Sequence, residues 1–353
     1  MEGTETALLS PALPFVLNAK AQDERDTTAA EPPDVLCSTF SSGGLRKLCY
    51  PHYGLDPSTR CTLFRRSLND VYLLSSRDQR YALKIYQSEW RTPAAILTEL
   101  EAIRHLAAKG IDVVQPIARL DGKWITETLA PEGRRSAVLF QWVGSEVAKW
   151  TNPSHAAQLG RLLAHMHAAS DDIPSNGTRP QMTIHYLMEE SLARIRQTLE
   201  GSPQLAERCD TVVKKARARL QRAKSQPDDW GFCHNDLFIN NAHIEAGKLV
   251  LLDFDWCGYG WRVFDLATFR WAARLYNAEK VAWQPFIDEY LQIRPSAASS
   301  LEFLGIFMVL RQLWTIAQFI RSAALAGECL LADGRLEDLI SQCERIEADP
   351  DLN

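Results

Sequence analysis

Between Phe232 and Leu266 the chain reads F-C-H-N-D-L-F-I-N-N-A-H-I and then L-V-L-L-D-F-D-W-C-G-Y-G-W-R-V-F-D-L, and no other stretch limits the possible folds as much. Phe232-Cys233-His234 is a short apolar strand ending in polar residues, which puts Asp236 on a loop at a strand end, positioned without full burial. Leu249 to Leu252 is a continuous apolar strand that Asp253 terminates, with Asp255 two residues later. Two carboxylates closing a buried strand cost desolvation unless a cation or hydrogen-bond donors meet them. Asn241 offers an amide oxygen, and its neighbour Asn240 competes for the same role. In an extended segment the two face opposite ways, so only one can serve. Singly, such acidic residues are more often structural or capping. The ordered set His234, Asp236, Asn241, Asp253 and Asp255 suits holding magnesium-bound phosphates and accepting a proton from a hydroxyl.

With 353 residues the chain has room for two domains or one two-lobed enzyme. Residues 1–35 mix Thr, Ala, Pro, Glu and Asp and read as a flexible segment ending at Glu31-Pro32-Pro33-Asp34. A first lobe is expected over 36–140, although its opening residues show no clear pattern. Thr62-Phe64, Val71-Leu74 and Arg80-Tyr86 read as strands separated by turn-like clusters. Lys84 shares a strand face with Ala82 and Tyr86; it either reaches a partly buried partner or stands on a solvated face. Thr92-Pro93 opens a helix that Gly110 closes, with Ile96, Leu100, Ile103 and Leu106 inward and Glu99 beside that stripe. Strands near Val113–Leu120 and Trp124–Glu127 follow, and Ala137–Gly144 reads as a buried strand linking two lobes.

The remainder, 141–353, is expected to be mainly helical. One helix is capped by Ser154, and its His165 and His167 read as packing or surface residues. Others cover 184–200, 204–224, 263–276, 279–292, 300–324 and 336–346. The basic run Arg208, Lys214, Lys215, Arg217, Arg219, Arg222, Lys224 reads as a solvated face. It lacks interleaved aromatics, and the net charge is −5, so no nucleic-acid partner is expected. No stretch reaches the roughly 18 apolar residues of a bilayer span, and the segment 300–324 is interrupted by Arg311 and Arg321. No membrane association is expected. Eight cysteines without a C-x-x-C pair and no secretory signal fit reduced thiols and a cytoplasmic protein.

H-N-D-L-F-I-N-N followed by L-L-D-F-D-W-C-G-Y-G-W-R-V-F-D-L-A resembles the aminoglycoside phosphotransferase and choline kinase family, relatives of the protein kinases. The similarity spans about Thr62 to Phe319. It implies an α+β, two-lobed protein-kinase-like fold, with a small β-rich N-lobe carrying one helix and a larger, mainly helical C-lobe. It also implies ATP as phosphate donor with Mg2+. Asp236 then falls on the catalytic base, Asn241 and Asp253 on metal ligands, Asp255 on the second acidic position supporting the metal, and Asp265 on a structural helix-start residue. Lys84 falls on the lysine that holds the α- and β-phosphates and Glu99 on its helix partner. The turn Arg65–Asp70, with Ser67 and Asn69, replaces a Gly-rich phosphate loop. Gln141, Trp142 and Val143 would form the hinge whose backbone meets adenine. Two positions depart from the common pattern: Asn235 stands where Gly is usual, and Phe238 where many relatives have His.

K-I-Y-Q-S-E-W-R-T-P and R-Q-L-W are similar in texture to bacterial stress-response Ser/Thr kinases and homoserine-kinase-like members. The resemblance implies γ-phosphate transfer to a hydroxyl of a small molecule, such as an aminoglycoside-like antibiotic, an amino alcohol or a sugar. The alternatives are a stress-response type protein kinase and an inactive nucleotide-binding scaffold. A cationic acceptor would want acidic groups at the C-terminal cleft; Glu328, Asp333, Glu337 and Asp338 could supply them, and read equally well as an ordinary solvated face.

Overall fold

The structure, a computed structural model, describes residues 35–144, 146–223, 229–326 and 334–352. The flexible segment expected over 1–35 lies, but for Val35, outside the described residues, as do Lys224, Glu328 and Asp333. The first described element is a helix that the sequence pattern did not announce, α1 (Ser42–Tyr53), capped by Ser41 Oγ on the Gly44 amide. Its Leu45, Cys49 and Tyr50 bury against Leu74, Leu83, Ile85 and Leu139 of the sheet behind it.

That sheet begins with an antiparallel meander of β1 (Arg60–Arg66), β2 (Asp70–Ser75) and β3 (Arg80–Ile85). After α2 (Pro93–Ala108) come β4 (Pro116–Ile117), β5 (Thr126–Ala130) and β6 (Gly133–Gln141). Strand β6 pairs with β3 along one edge and with β4 and β5 along the other. Lys84 sits opposite Val71 and Val138, in mid-sheet rather than at an edge. In α2 the Thr92 hydroxyl accepts from the Ala95 amide, with Pro93 at the first helical position. The expected stripe is buried, and Glu99 with it.

Beyond Gln141 the short strand β7 (Glu146–Val147) leads to α3 (Pro153–Ala169). The cap of α3 is Asn152, whose Oδ1 accepts from the Ser154 amide, and not Ser154 itself. Pro153 decides this, because its fixed φ suits the first helical position and so places the cap at Asn152, two residues before Ser154. A π-helical turn, His185–Glu190, precedes α4 (Ser191–Thr198), and α5 (Pro203–Arg222) follows. The central stretch folds as two hairpins. β8 (Trp230–Cys233) pairs with β11 (Gly258–Trp261), and inside that pair lies β9 (Ala242–Glu245) with β10 (Lys248–Leu251). Ala246 and Gly247, both at positive φ, make the two-residue turn that matches the twist of β9 and β10.

Helices α6 (Val263–Leu275), α7 (Glu279–Ile293), α8 (Leu304–Ala326) and α9 (Arg335–Glu347) complete the larger lobe. Residues 295–303, partly expected as α-helix, form a 3-10 segment leading into α8. The long apolar run through α8 packs inside the protein, with 78% of its most apolar window buried, as a core helix does. The basic run of α5 lies at the surface, with Lys214, Lys215, Arg217 and Arg222 exposed, and part of it is paired there: Arg208 with Glu337 and Glu344, Lys215 with Glu347, and Arg217 with Glu189. Glu337 is thereby neutralised on α9. Neither it nor Asp338 lines the cleft described next.

Candidate active site

A cleft of about 340 Å³ opens between the sheet and the two hairpins. Lys84, Glu99, Ser67, Asn69, Gln141, Trp142, Val143, Asp236, Asn241, Asp253 and Asp255 all line it, as does Asn240. The residues that the family resemblance assigns to nucleotide, metal and proton transfer are therefore brought to one place, while His234 of the ordered set is buried behind the cleft rather than lining it.

On the sheet side, Lys84 Nζ lies 3.4 Å from Glu99 Oε1, 3.5 Å from Asp253 Oδ1 and 3.5 Å from Asp255 Oδ1. Burial alone would depress the ammonium. Glu99, Tyr86, Asp255 and Asp253 outweigh it and hold the group well above its ordinary range. Glu99 is itself secured by the Tyr86 hydroxyl at 3.1 Å and by Arg179 at 3.6 Å. The turn after β1 carries no glycine. Ser67 Oγ donates to the Asn69 carbonyl, and Asn69 Oδ1 accepts from the Gln87 amide, so side chains set its shape. The apolar part of the cleft's lining comprises Val71, Ala82, Ile103, Val114, Phe140 and Leu252. Phe64 meets the Trp142 ring edge-on at 5.1 Å there. The Gln141 amide donates to the Gln115 carbonyl and the Trp142 amide to that of Arg80.

On the hairpin side, the loop after β8 is pinned at several points. Asp265, at the start of α6, accepts from the backbone amides of His234 (2.8 Å) and Asn235 (2.6 Å) and from His167 Nε2 (3.0 Å). Asn235 has φ of 63°, a left-handed conformation that Gly adopts freely and Asn tolerates, so the departure from Gly keeps the loop shape. His234 Nε2 donates to the Leu252 carbonyl while its Nδ1 accepts from the Asp236 amide. Asn241 lies in a 3-10 turn, Ile239–Asn241, rather than an extended segment. Alternation therefore does not separate it from Asn240. Hydrogen bonding does: Asn241 Nδ2 donates to the Asp236 carbonyl, and its own carbonyl accepts from the Leu252 amide. With the amide nitrogen engaged, its oxygen is the group left for a ligand.

The three aspartates differ sharply. Asp253 has φ 60° and ψ 61°, a strained backbone for a non-Gly residue, and its side chain is 38% exposed. Asp255 is buried with both oxygens taken, Oδ1 by Asn69 and Lys84 and Oδ2 by Trp90 Nε1 at 2.7 Å and Arg91. Burial would raise its pKa, but Lys84, Arg91 and Trp90 bring it below the usual carboxylate range. Asp236 goes the other way: burial, helped by Asp253, pushes it up against the opposing pull of Arg311. Arg311 of α8 donates to Asp236 Oδ1 at 2.8 Å, and this partner carried no motif signal in the sequence beyond the texture of R-Q-L-W. Arg179 was likewise missed; it joins the carbonyls of Ala95, Phe254, Asp255 and Cys257 and so binds α2 to the hairpins.

A sheet-borne lysine paired with a helix glutamate, facing a loop aspartate and a strand-end aspartate across one cleft, is the arrangement of the protein-kinase-like phosphotransferases. The profile of the phosphotransferase enzyme family matches residues 61–295, and the chain belongs to that family. A protein of Deinococcus radiodurans is 33% identical over 319 residues, covering 88% of this chain and 92% of its own. Amicoumacin kinase of Bacillus subtilis is 28% identical over 247 residues, 68% of this chain and 67% of that protein. Among solved structures, amicoumacin kinase in complex with AMP-PNP, Ca2+ and Ami has a TM-score of 0.67 at 20% identity, covering 87% of this chain and 93% of that one.

Proposed function

We propose that the protein is an ATP-dependent kinase that transfers the γ-phosphate to a hydroxyl of a small molecule. The observation that carries this is the single cleft in which Lys84 and Asp236 face each other across Asp253, with an apolar slot behind. Lys84, held charged by its carboxylate neighbours, would bind the α- and β-phosphates. The slot between Ala82, Phe140 and Leu252 would take the adenine, with the backbone of Gln141 to Val143 at its edge. Asp236 would accept the acceptor's proton as its oxygen attacks the γ-phosphorus and the bond to the β-phosphate oxygen breaks, releasing ADP.

The donor set fits a hard divalent cation. An exposed carboxylate on Asp253 and an amide oxygen on Asn241, its nitrogen already engaged, are the oxygen ligands Mg2+ prefers. Those two would hold it, with Asp255 supporting from behind through Lys84 and Asn69. Bound there, the ion would neutralise phosphate charge. Relatives named for amicoumacin and homoserine favour a small hydroxylated acceptor.

Calorimetry with Mg-AMP-PNP tests the division of labour. Asp253→Ala should abolish binding, whereas Asp236→Asn should bind normally and lose turnover by at least about a thousandfold. Equal affinity in wild type and Asp253→Ala would sink the metal assignment. ATP consumption across aminoglycosides, amino alcohols, sugars and a generic protein substrate identifies the acceptor class; turnover on the protein substrate alone would overturn the small-molecule reading.

A further inference from the structure

We propose that Arg311 is a positioning residue for phosphoryl transfer, fixing which carboxylate oxygen of Asp236 faces the acceptor; this rests on the kinase reading above. Arg311 arrives from α8, far along the chain from the loop it grips. Its Nη2 donates to Asp236 Oδ1 at 2.8 Å and its Nη1 to the Asn235 carbonyl at 3.0 Å. One planar group therefore holds the side chain of one loop residue and the backbone of the residue before it. Such a fork sets an orientation as well as a distance, which a point charge does not.

The fork is itself immobilised. The guanidinium carbon lies 4.7 Å from the centre of the Trp314 ring, 5.0 Å from Trp271 and 5.5 Å from Phe238. Trp271 is locked in turn, its Nε1 donating to Gln312 Oε1 at 2.7 Å while Gln312 Nε2 donates to the Leu339 carbonyl. Phe238, the departure from the His of many relatives, thus serves as one wall of the cage. Arg179 offers an internal contrast: it too is buried and ion-pairs with Glu99, but its hydrogen bonds all go to backbone carbonyls and none reaches the loop that carries Asp236. Arg311 directs one donor at the carboxylate that faces the cleft. With Oδ1 held, the plane of the carboxylate is set and Oδ2 is left to take the hydroxyl proton.

The test uses the full chain with Arg311→Met, Arg311→Lys and Arg311→Ala. Phosphate release from Mg-ATP, with water as acceptor, gives kcat and KM, and calorimetry gives affinity for Mg-AMP-PNP. For Arg311→Met the expected result is a kcat about 100-fold lower with KM and nucleotide affinity within twofold of wild type, since misplacing a reacting group by about 1 Å costs that much. Arg311→Lys should recover about tenfold of that loss. Millimolar ethylguanidinium should restore Arg311→Ala at least tenfold without moving its thermal midpoint. A kcat for Arg311→Met within threefold of wild type, or a loss of nucleotide affinity equal to the loss of turnover, overturns the positioning role. Should Arg311→Met fail to fold, the Lys variant and the ethylguanidinium response decide the matter. A wild type that neither binds nor turns over Mg-ATP removes the kinase reading and Arg311 with it, whereas active wild type with unaffected Arg311→Met removes the Arg311 assignment alone.

Discussion

His167 shows how far a residue's role depends on what reaches it. Its Nε2 donates to Asp265 and its Nδ1 accepts from the Tyr290 hydroxyl at 2.8 Å, so the neutral ring is fully satisfied in a site without solvent. Burial lowers its pKa despite the opposing pull of Asp265. Between that lowered value and about 6.5, the unfolded chain binds the proton that the folded chain refuses, so stability rises with pH there. The contribution is complete above about pH 6.5 and is lost as pH falls through the folded value. Asp265 adds a second, more acidic loss: burial would raise it, but His167 and His234 hold it below the usual carboxylate range. We expect the thermal midpoint to fall from about pH 6.5 downwards, and His167→Gln, which keeps a donor for Asp265, to remove the upper part of that slope. Identical slopes between pH 5 and 7 in the two proteins would contradict this.

At the scale of elements, α3 and α7 pack closely at Gly160. A Cβ at Gly160 would lie 2.0 Å from the Phe286 carbonyl oxygen, which is backbone and cannot yield without moving α7. Ala is the better helix former by about 1 kcal/mol, so an exposed Gly→Ala change on a helix should stabilise. Here the clash decides the sign: Gly160→Ala should destabilise by about 1–3 kcal/mol, read as a lower denaturant midpoint at unchanged m-value. A higher midpoint would mean that the two helices separate at little cost. Helix α5 makes a related point about charge. Its basic run reads as a solvated face, and Lys214, Lys215, Arg217 and Arg222 are exposed, yet α9 meets Arg208 and Lys215 with Glu337, Glu344 and Glu347. Sequence spacing displays one face of a helix but does not name the face that packs against it.

For the whole molecule, Asp255 is the junction between the sheet and the hairpins. Asn69, Lys84, Trp90 and Arg91 all come to it from the smaller lobe. Removing it leaves buried donors and a buried ammonium without their partner. Asp255→Ala should therefore cost about 3–5 kcal/mol in addition to activity, seen as a lower unfolding midpoint. Asp253→Ala, at the exposed carboxylate, should change the midpoint far less while still losing nucleotide. Equal destabilisation by the two variants would refute the distinction drawn between them.

Much of the site was legible in sequence because its parts are local. The order His234, Asp236, Asn241, Asp253 lies within two hairpins, whereas period and capping left Lys84 and Glu99 open and the family resemblance supplied their pairing. By itself the sequence determined the family, the lobes' composition and the residues that meet in the cleft. Tertiary structure decided what no spacing encodes: that Arg311 arrives from α8 to hold Asp236, that Asn241 rather than Asn240 is fixed by hydrogen bonds, and that Asp253 is open while Asp255 is closed. The reason is physical. Burial and partnership are properties of the space around a side chain, and that space is filled by segments distant in the chain.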